Sequence, residues 1–574
     1  MSQSPSNAHP KGLYILFATE MWERFNYYGM RAILVLFMTQ ALLFERDFSS
    51  NLYGSYISLI YLSGLVGGYF ADRYWGNQRS IILGGIVMVI AELVLFFCAS
   101  YYETDRELSS LLFYCGLGMM IGGNGFFKPN ISNMVGQLYT THDKRKDAAY
   151  TIFYMGINLG GALGPLVCGA VGDTGNPADF KWAFMAGAVA MAISVLVQFV
   201  FHRKYVTDPE KKVLGLIPEK APRYMLTPFA TIASLVLISA LSIGMIYLDA
   251  NPKFSFLFYL LIACFVIIPL IIYRDSSLTK DEKNKVAVIV IVCFFVIFFW
   301  SAFEQTGASL VFFAEDQTNK DISWLKIPNW LIAVLSAALL YYVFILFRRT
   351  AKALGGEYHS ALRNTLFGLL ALLAIATIWG NIYIFSSGQN YISREAVPTS
   401  WFQSLNSIFI VLFAPFFAFM WLKMGKSEPS SITKMALGLL LMGLGYLWIA
   451  VGVNKVSAGV QVSMIWLIVL YALHTSGELC LSPIGLSLVN KLSPLKFSSL
   501  LMAIWFTANA FGNKLAGSLS ALYPEKGKTT HFLGYEMSTL YDFFMLFVFM
   551  SCLAALLLFL LTRKLQKMMQ PSNA

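Results

Sequence analysis

The sequence predicts an all-α polytopic membrane protein, with two six-helix bundles and two extra helix pairs, about sixteen spans of about 20 residues each. Three observations predict it. Of 574 residues, 57% are hydrophobic, 13% are charged and 47 are Phe, with a mean hydropathy of +0.63. An ordinary soluble chain is about 45–50% apolar and about 25% charged. Apolar stretches long enough to span recur along the whole chain and leave little room for a soluble domain. Finally, with the polar start placed in the cytoplasm, alternate loops collect most of the basic residues, as the positive-inside rule requires.

That distribution also decides what the charge means. The chain carries 42 basic and 31 acidic residues, a net +11. In a soluble protein this would raise nucleic acid as a partner. Here it is a topology signal, so the lipid bilayer is the expected partner and no nucleic acid is. The seven cysteines all fall in or beside apolar stretches without a CxxC spacing and read as small buried hydrophobes. The first twelve residues lack the basic region of a signal peptide, so the first apolar run reads as a retained span.

The first six spans are expected at 13–43, 52–71, 80–100, 109–139, 148–171 and 181–201. A basic stretch at 202–227, with Lys211, Lys212, Lys220 and Arg223, then separates two halves. A first inserted pair, 228–248 and 255–273, and a second linker, 274–285, precede span seven at 286–314. A second inserted pair, 328–347 and 364–386, has a basic loop with Arg348, Arg349, Lys352 and Arg363. Spans at 400–422, 433–454, 462–491, 497–522 and 540–562 complete the second half. The expected organisation is therefore an N-terminal bundle at 1–202, linkers and first pair at 203–285, span seven at 286–314, the second pair at 315–399, and five spans with a short tail at 400–574. Asn158-Leu-Gly-Gly161 is echoed by Asn509-Ala-Phe-Gly512, and Lys128-Pro129 by Ser482-Pro483 at a similar offset. This hints at a duplicated six-span unit with a site at mid-depth between its copies.

A charge at the bilayer centre costs about 2.5–3.5 kcal/mol on insertion scales, so intramembrane charges usually face partners or water. Glu20, Glu23, Arg24, Arg31, Lys128, Glu304 and Glu478 are the clearest cases. At about 100° per residue, Glu20, Glu23, Arg24, Tyr27 and Arg31 share one helix face. That face is either a static ion network or a cavity wall whose carboxylates take up protons. The second is favoured, because buried ion pairs stabilise weakly. Five glycines between 116 and 125 precede Lys128-Pro129, so the fourth span should pack closely and deform near its charge, or else hold an ordinary snorkelling lysine. His474 and Glu478 share a face, but no further His or Cys completes a metal site, and none is expected. Glu92 and Lys514 are also embedded; neither is given a role, and Lys514 is expected near the outer surface.

The first span makes the chain recognisable. Glu20-Met-Trp-Glu23-Arg24-Phe-Asn-Tyr27-Tyr28-Gly29 resembles the ExxERFxYYG signature of the proton-coupled oligopeptide transporters, a branch of the major facilitator superfamily. Gly67 to Arg79 is similar to the superfamily's loop motif, and Phe153 to Gly160 to the family's FYxxINxG signature. Lys128-Pro129-Asn130, Phe299 to Gln305, Trp401 to Asn406, Gly477 to Pro483 and Trp505-Phe506 with Asn509 also match, in order, through both halves.

The resemblance implies a major facilitator fold and a symporter importing di- and tripeptides with protons by alternating access. Protons are the coupling ion, and no other cofactor is implied. Glu20, Glu23, Arg24, Lys128 and Glu304 would couple protons. Arg24, Tyr27, Tyr28, Arg31, Tyr61, Lys128, Asn158, Trp300, Asn406, Glu478, Trp505 and Asn509 would bind substrate. Arg31 with Glu304 and Arg46 with Asp316 would gate. The expected location is a bacterial inner (plasma) membrane, with both termini cytoplasmic and the monomer as the functional unit. Two departures stand out. Tyr53-Gly54-Ser55-Tyr56 replaces a second-span His of mammalian members, and Leu62-Ser63-Gly64 replaces the usual Thr-Pro. The alternative is a relative carrying nitrate or another small solute; Glu478, a natural ammonium partner, leans toward peptides. A membrane enzyme should show a catalytic constellation, and none is evident.

Overall fold

The structure, a computed structural model, describes residues 9–140, 143, 145–249, 255–353, 367, 371, 374–375, 377–382, 384–386, 388, 390–456, 460–525 and 528–570. It divides into two compact units, Met1–Thr318 with Pro398–Ala574, and Asn319–Val397.

In the larger unit the first half is built from α1 (Lys11–Leu36), α2 (Arg46–Phe70), α3 (Gly76–Tyr101), α4 (Arg106–Gln137), α5 (Arg145–Gly172) and α6 (Phe180–Tyr205). Short π-helical turns extend α1 through Ala41 and α2 through Trp75. The first inserted pair is α7 (Pro228–Asp249) and α8 (Phe256–Arg274). The second half begins with α9 (Lys280–Phe303) and α10 (Ser309–Asp316). Within the smaller unit, β1 (Lys326–Pro328) pairs antiparallel with β2 (Tyr391–Ser393) and leads into α11 (Asn329–Ala353). Of the expected partner span, 364–386, thirteen positions are described and all are helical, among them 377–382 and 384–386; the other ten, and Arg363, lie outside the described residues. The larger unit resumes with α12 (Ser404–Met424), α13 (Ser431–Val453), α14 (Ile465–Leu492), α15 (Ser498–Ser520) and α16 (Leu540–Met569).

Local chemistry sets the helix starts. Asp105 accepts the Leu108 N–H at 2.9 Å to cap α4, while capping boxes of Thr279 with Glu282 and Thr539 with Asp542 open α9 and α16. Each leaves fewer backbone donors unpaired where the chain enters the apolar zone. In the first bundle α1 packs on α5 and α6, and α3 on α4 and α6. In the second, α13 packs on α14 and α16, and α9 on α15 and α16. The bundles meet where α2 packs on α15 and α5 on α12.

Eleven segments among the described residues are long and apolar enough to cross a membrane, one of them holding both α2 and α3. α1 and α15 are not among them. α1 is interrupted at mid-length by Glu20, Glu23, Arg24 and Arg31, and protein rather than lipid surrounds those side chains.

One sequence expectation needs correction. Span seven is not one helix. α9 ends at Phe303, residues Glu304–Gly307 form a 3-10 turn, and Ala308 adopts φ −138°, ψ −84° before α10. The break falls on the polar run Glu304-Gln-Thr-Gly307, with apolar residues on both sides; irregular backbone at this depth is tolerated because protein encloses it. The fourth span, in contrast, keeps Pro129 inside one continuous helix. Its glycines serve close packing, with Gly123 against Met88 and Gly125 against the Ser63 backbone.

Candidate functional site

Between the bundles lies a cavity of about 420 Å³. From the first bundle it is lined by Arg24, Tyr27, Tyr28, Arg31, Tyr61 and Lys128, and from the second by Trp300, Glu304, Asn406 and Glu478. These side chains arrive from α1, α2, α4, α9 with its 3-10 turn, α12 and α14, so only the folded pair of bundles assembles them.

The charged groups are paired closely. Arg24 donates Nε and a terminal nitrogen to the two Glu23 oxygens, both at 2.6 Å, the bidentate fork that guanidinium geometry favours. Glu20 Oε1 accepts from Lys128 Nζ at 2.9 Å and lies 3.4 Å from Arg24 Nε. Asn124, one helical turn before Lys128, donates to Glu23 Oε1 at 3.0 Å. The Arg24 guanidinium sits 4.7 Å from the centre of the Tyr27 ring, a cation–π contact. Glu20 and Glu23 are fully buried, whereas the Lys128 side chain is 36% exposed into the cavity.

Farther along α1, Arg31 forms an ion pair with Glu304 on the opposite bundle and donates Nε to the Tyr53 hydroxyl at 2.5 Å. A phenol from the stretch Tyr53 to Tyr56 thus holds this arginine. Across the cavity, Asn406 donates to Glu478 Oε2 at 2.9 Å and to Thr475 Oγ1 at 3.1 Å. The first bundle's wall carries three cations, and the second bundle's wall carries two carboxylates.

Three expected substrate residues lie behind this lining. Asn158 donates to the Tyr154 carbonyl, Asn509 to the Trp505 carbonyl, and the Trp505 ring packs at Gly485; none borders the cavity. Asn124, Gln403, Tyr471 and Phe506, which are not among the expected substrate residues, do border it. Spacing offered a signal for Asn124 alone, as an amide four residues before a buried lysine. Lys514, expected near the outer surface, lies toward the far end of α15, with its side chain buried. Among the described residues no group of three or more His, Cys, Asp or Glu could hold a metal ion.

The far face, opposite the start of α1, is closed by bonds between the bundles. Arg46 meets Asp316 at 2.5 and 3.2 Å, Ser404 donates to the Ala162 carbonyl at 2.9 Å, and Trp401 donates to the Leu166 carbonyl at 2.9 Å. Toward the near face, the cavity-lining Leu65 and Phe506 are exposed.

A family profile described as PTR2, POT family, matches residues 78–379 and 381–539. The chain is 31% identical over 536 residues to an uncharacterized transporter of Bacillus subtilis, covering 91% of this chain and 90% of that one. It is 28% identical to a di-/tripeptide transporter of Lactococcus lactis, covering 90% of each. Among solved structures, a peptide transporter POT in complex with sulfate superposes with a TM-score of 0.73 at 28% identity, over 99% of this chain and 98% of that one. A POT family transporter in complex with 5-aminolevulinic acid gives a TM-score of 0.72 at 26% identity, over 98% of each.

Proposed function

The chain belongs to the POT family, a family of multi-pass membrane transporters and not of enzymes, and from that premise we propose that it imports di- and tripeptides together with protons by alternating access. The observation that carries this reading is the division of charge across one cavity: Arg24, Arg31 and Lys128 on one bundle, Glu304 and Glu478 on the other. A short peptide is a zwitterion whose ends carry opposite charges. Its carboxylate meets Arg31 and Lys128 through charge-assisted hydrogen bonds, and its ammonium meets Glu478. Asn406 supplies a polar contact to the peptide, while Tyr27, Tyr28, Tyr61 and Trp300 tolerate varied side chains. Asn158, Asn509 and Trp505 support that wall from behind in this conformation.

Proton coupling follows from the same pairs. A peptide carboxylate that draws Lys128 or Arg24 away leaves Glu20 or Glu23 buried without its countercharge, a costly state that a proton relieves. Arg31 with Glu304 and Arg46 with Asp316 would part when the far face opens. A membrane potential supplies about 2.3 kcal/mol per charge per 100 mV, so one proton per neutral peptide permits about fiftyfold accumulation. We assign the near face, with both chain ends, to the cytoplasm of a bacterial inner membrane, and the monomer as the working unit, since one chain supplies the whole cavity.

Uptake of labelled dialanine into proteoliposomes, with and without an inward proton gradient, tests the reading. Wild-type accumulation should need the gradient, and Glu20→Gln with Glu23→Gln should retain only exchange between equal pools. Dialanine that does not move under any gradient, with labelled nitrate moving instead, would transfer the site to small anions.

A further inference from the structure

The transport cycle described above leaves one buried ion pair unused. Lys514 of α15 lies 2.6 Å from Asp249, the last residue of α7, and also donates to Ser55 of α2 at 2.9 Å. Ser55 in turn donates to the same carboxylate. The other Asp249 oxygen accepts from Ser255 Oγ at 2.7 Å and from the Leu257 N–H at 3.0 Å. All three central residues are at least 97% buried. One cluster therefore joins the first bundle through Ser55, the second bundle through Lys514, and both helices of the first inserted pair.

Packing explains why that junction matters. The two inserted helices do not sit together on one bundle: α7 packs chiefly on α4 with contacts to α2, and α8 on α15 and α9. On one side, Gly118 and Gly122 bring α4 against Ser239 of α7. On the other, Phe258 of α8 lies 5.1 Å from Phe511 of α15. The pair is a strap with one helix on each bundle, and Asp249 stands at its turn. Ser55 and Lys514 both lie toward the far ends of their helices, where α2 and α15 are in contact.

We propose that the inserted pair is part of the far gate, and that Asp249 and Lys514 are positioning residues that latch it shut. The inference rests on alternating access but not on the identity of the cargo. When the far face opens, α15 leaves α2; α7 travels with α4, so Lys514 loses Asp249 and Ser55 together. A lysine so buried gives up its charge partner reluctantly, which biases the equilibrium toward the far-closed state. The strap limits how far the bundles separate.

The test is a distance measurement by pulsed electron spin resonance on the full chain in lipid nanodiscs. Spin labels are placed at the exposed positions Asp47→Cys and Leu533→Cys, with Cys115, Cys264 and Cys552 replaced by Ala. Lys514→Met and Asp249→Asn should each raise the ratio of long to short distances about fivefold or more, the low end of ordinary coupling between sites. The double variant should open the face no further than either single variant. Ser55→Ala keeps both charges and should shift the ratio in the same direction by less, so it serves where a charge variant does not fold. Unchanged distances in the variants that fold, or effects of Lys514→Met and Asp249→Asn that simply add, would overturn the latch. Failure of wild-type dialanine uptake with the shifts intact would instead overturn the cargo and leave the latch standing.

Discussion

Lys128 and Arg24 converge on one oxygen of Glu20, Lys128 at 2.9 Å from α4 and Arg24 at 3.4 Å from the next turn of α1. Of the two cations, Lys128 alone reaches from the second helix and is the more exposed to the cavity. It is therefore the one a peptide carboxylate can recruit first.

Lys128→Ala should then break coupling without emptying the cavity. Glu20 keeps Arg24 as a partner, so the fold survives, but peptide arrival no longer changes its surroundings. Dialanine accumulation in proteoliposomes should fall to the equilibrium level, while exchange between equal internal and external pools persists. Accumulation at the wild-type level would remove Lys128 from the coupling site.

Glu478 is held by the Asn406 amide, and among the described residues no cation forms an ion pair with it. The peptide ammonium supplies that charge. A hydrogen bond to a charged group contributes about 1.5–3 kcal/mol, so Glu478→Gln should raise the KM for dialanine about tenfold or more. N-acetyl-dialanine, which has no ammonium, should compete as well against the variant as against wild type. Equal losses for both ligands would mean that Glu478 shapes the wall without reading the amine.

The sequence disclosed this site unevenly, for physical reasons. Charges in apolar spans are costly enough to stand out, and Glu20, Glu23, Arg24, Arg31, Lys128, Glu304 and Glu478 were all visible as such. Fold class was legible from hydropathy, charge asymmetry and family motifs together. The break after Phe303 was not, because its short polar run, Glu304 to Gly307, reads as one more charged site inside an apolar span. The partnership of Tyr53 with Arg31 was not legible either, because a phenol within an apolar span carries no charge to mark it. A motif carries no information on depth, which is why Trp505, Asn158 and Asn509 share motifs with cavity-lining residues yet lie behind them. Asp249 and Lys514 are 265 positions apart in numbering, and only the fold makes them partners.

Arg31 and Glu304 offer a test of stability as well as gating. Breaking a buried pair by removing one partner costs about 3–5 kcal/mol, more than replacing both. Glu304→Gln should lower the midpoint of thermal unfolding in detergent, and Arg31→Met with Glu304→Gln should recover part of the loss. Tyr53→Phe, which removes one hydrogen bond to the guanidinium, should cost about 1 kcal/mol. A double variant less stable than Glu304→Gln alone would mean that the pair stabilises beyond its mutual charge.

Far-face closure also depends on two glycines. A Cβ at Gly54 of α2 would lie 2.8 Å from the Gly517 Cα and 2.9 Å from the Asn513 carbonyl oxygen of α15. Both are backbone atoms, so no side-chain rotation relieves the clash; the helices must separate. Small residues at such a crossing let two backbones touch, and overfilling it costs about 1–3 kcal/mol. That cost falls on the far-closed state alone, since α2 and α15 part when the face opens. Gly54→Ala should therefore lengthen the distances between labels at 47 and 533 and reduce dialanine accumulation, while binding of dialanine from the far side persists. Gly244→Ala, whose Cβ meets nothing within 4 Å, is the control and should behave as wild type. Unaltered distances in Gly54→Ala would show that the bundles close the far face without this contact, leaving the task to the Arg31 and Arg46 pairs and to the Lys514 cluster.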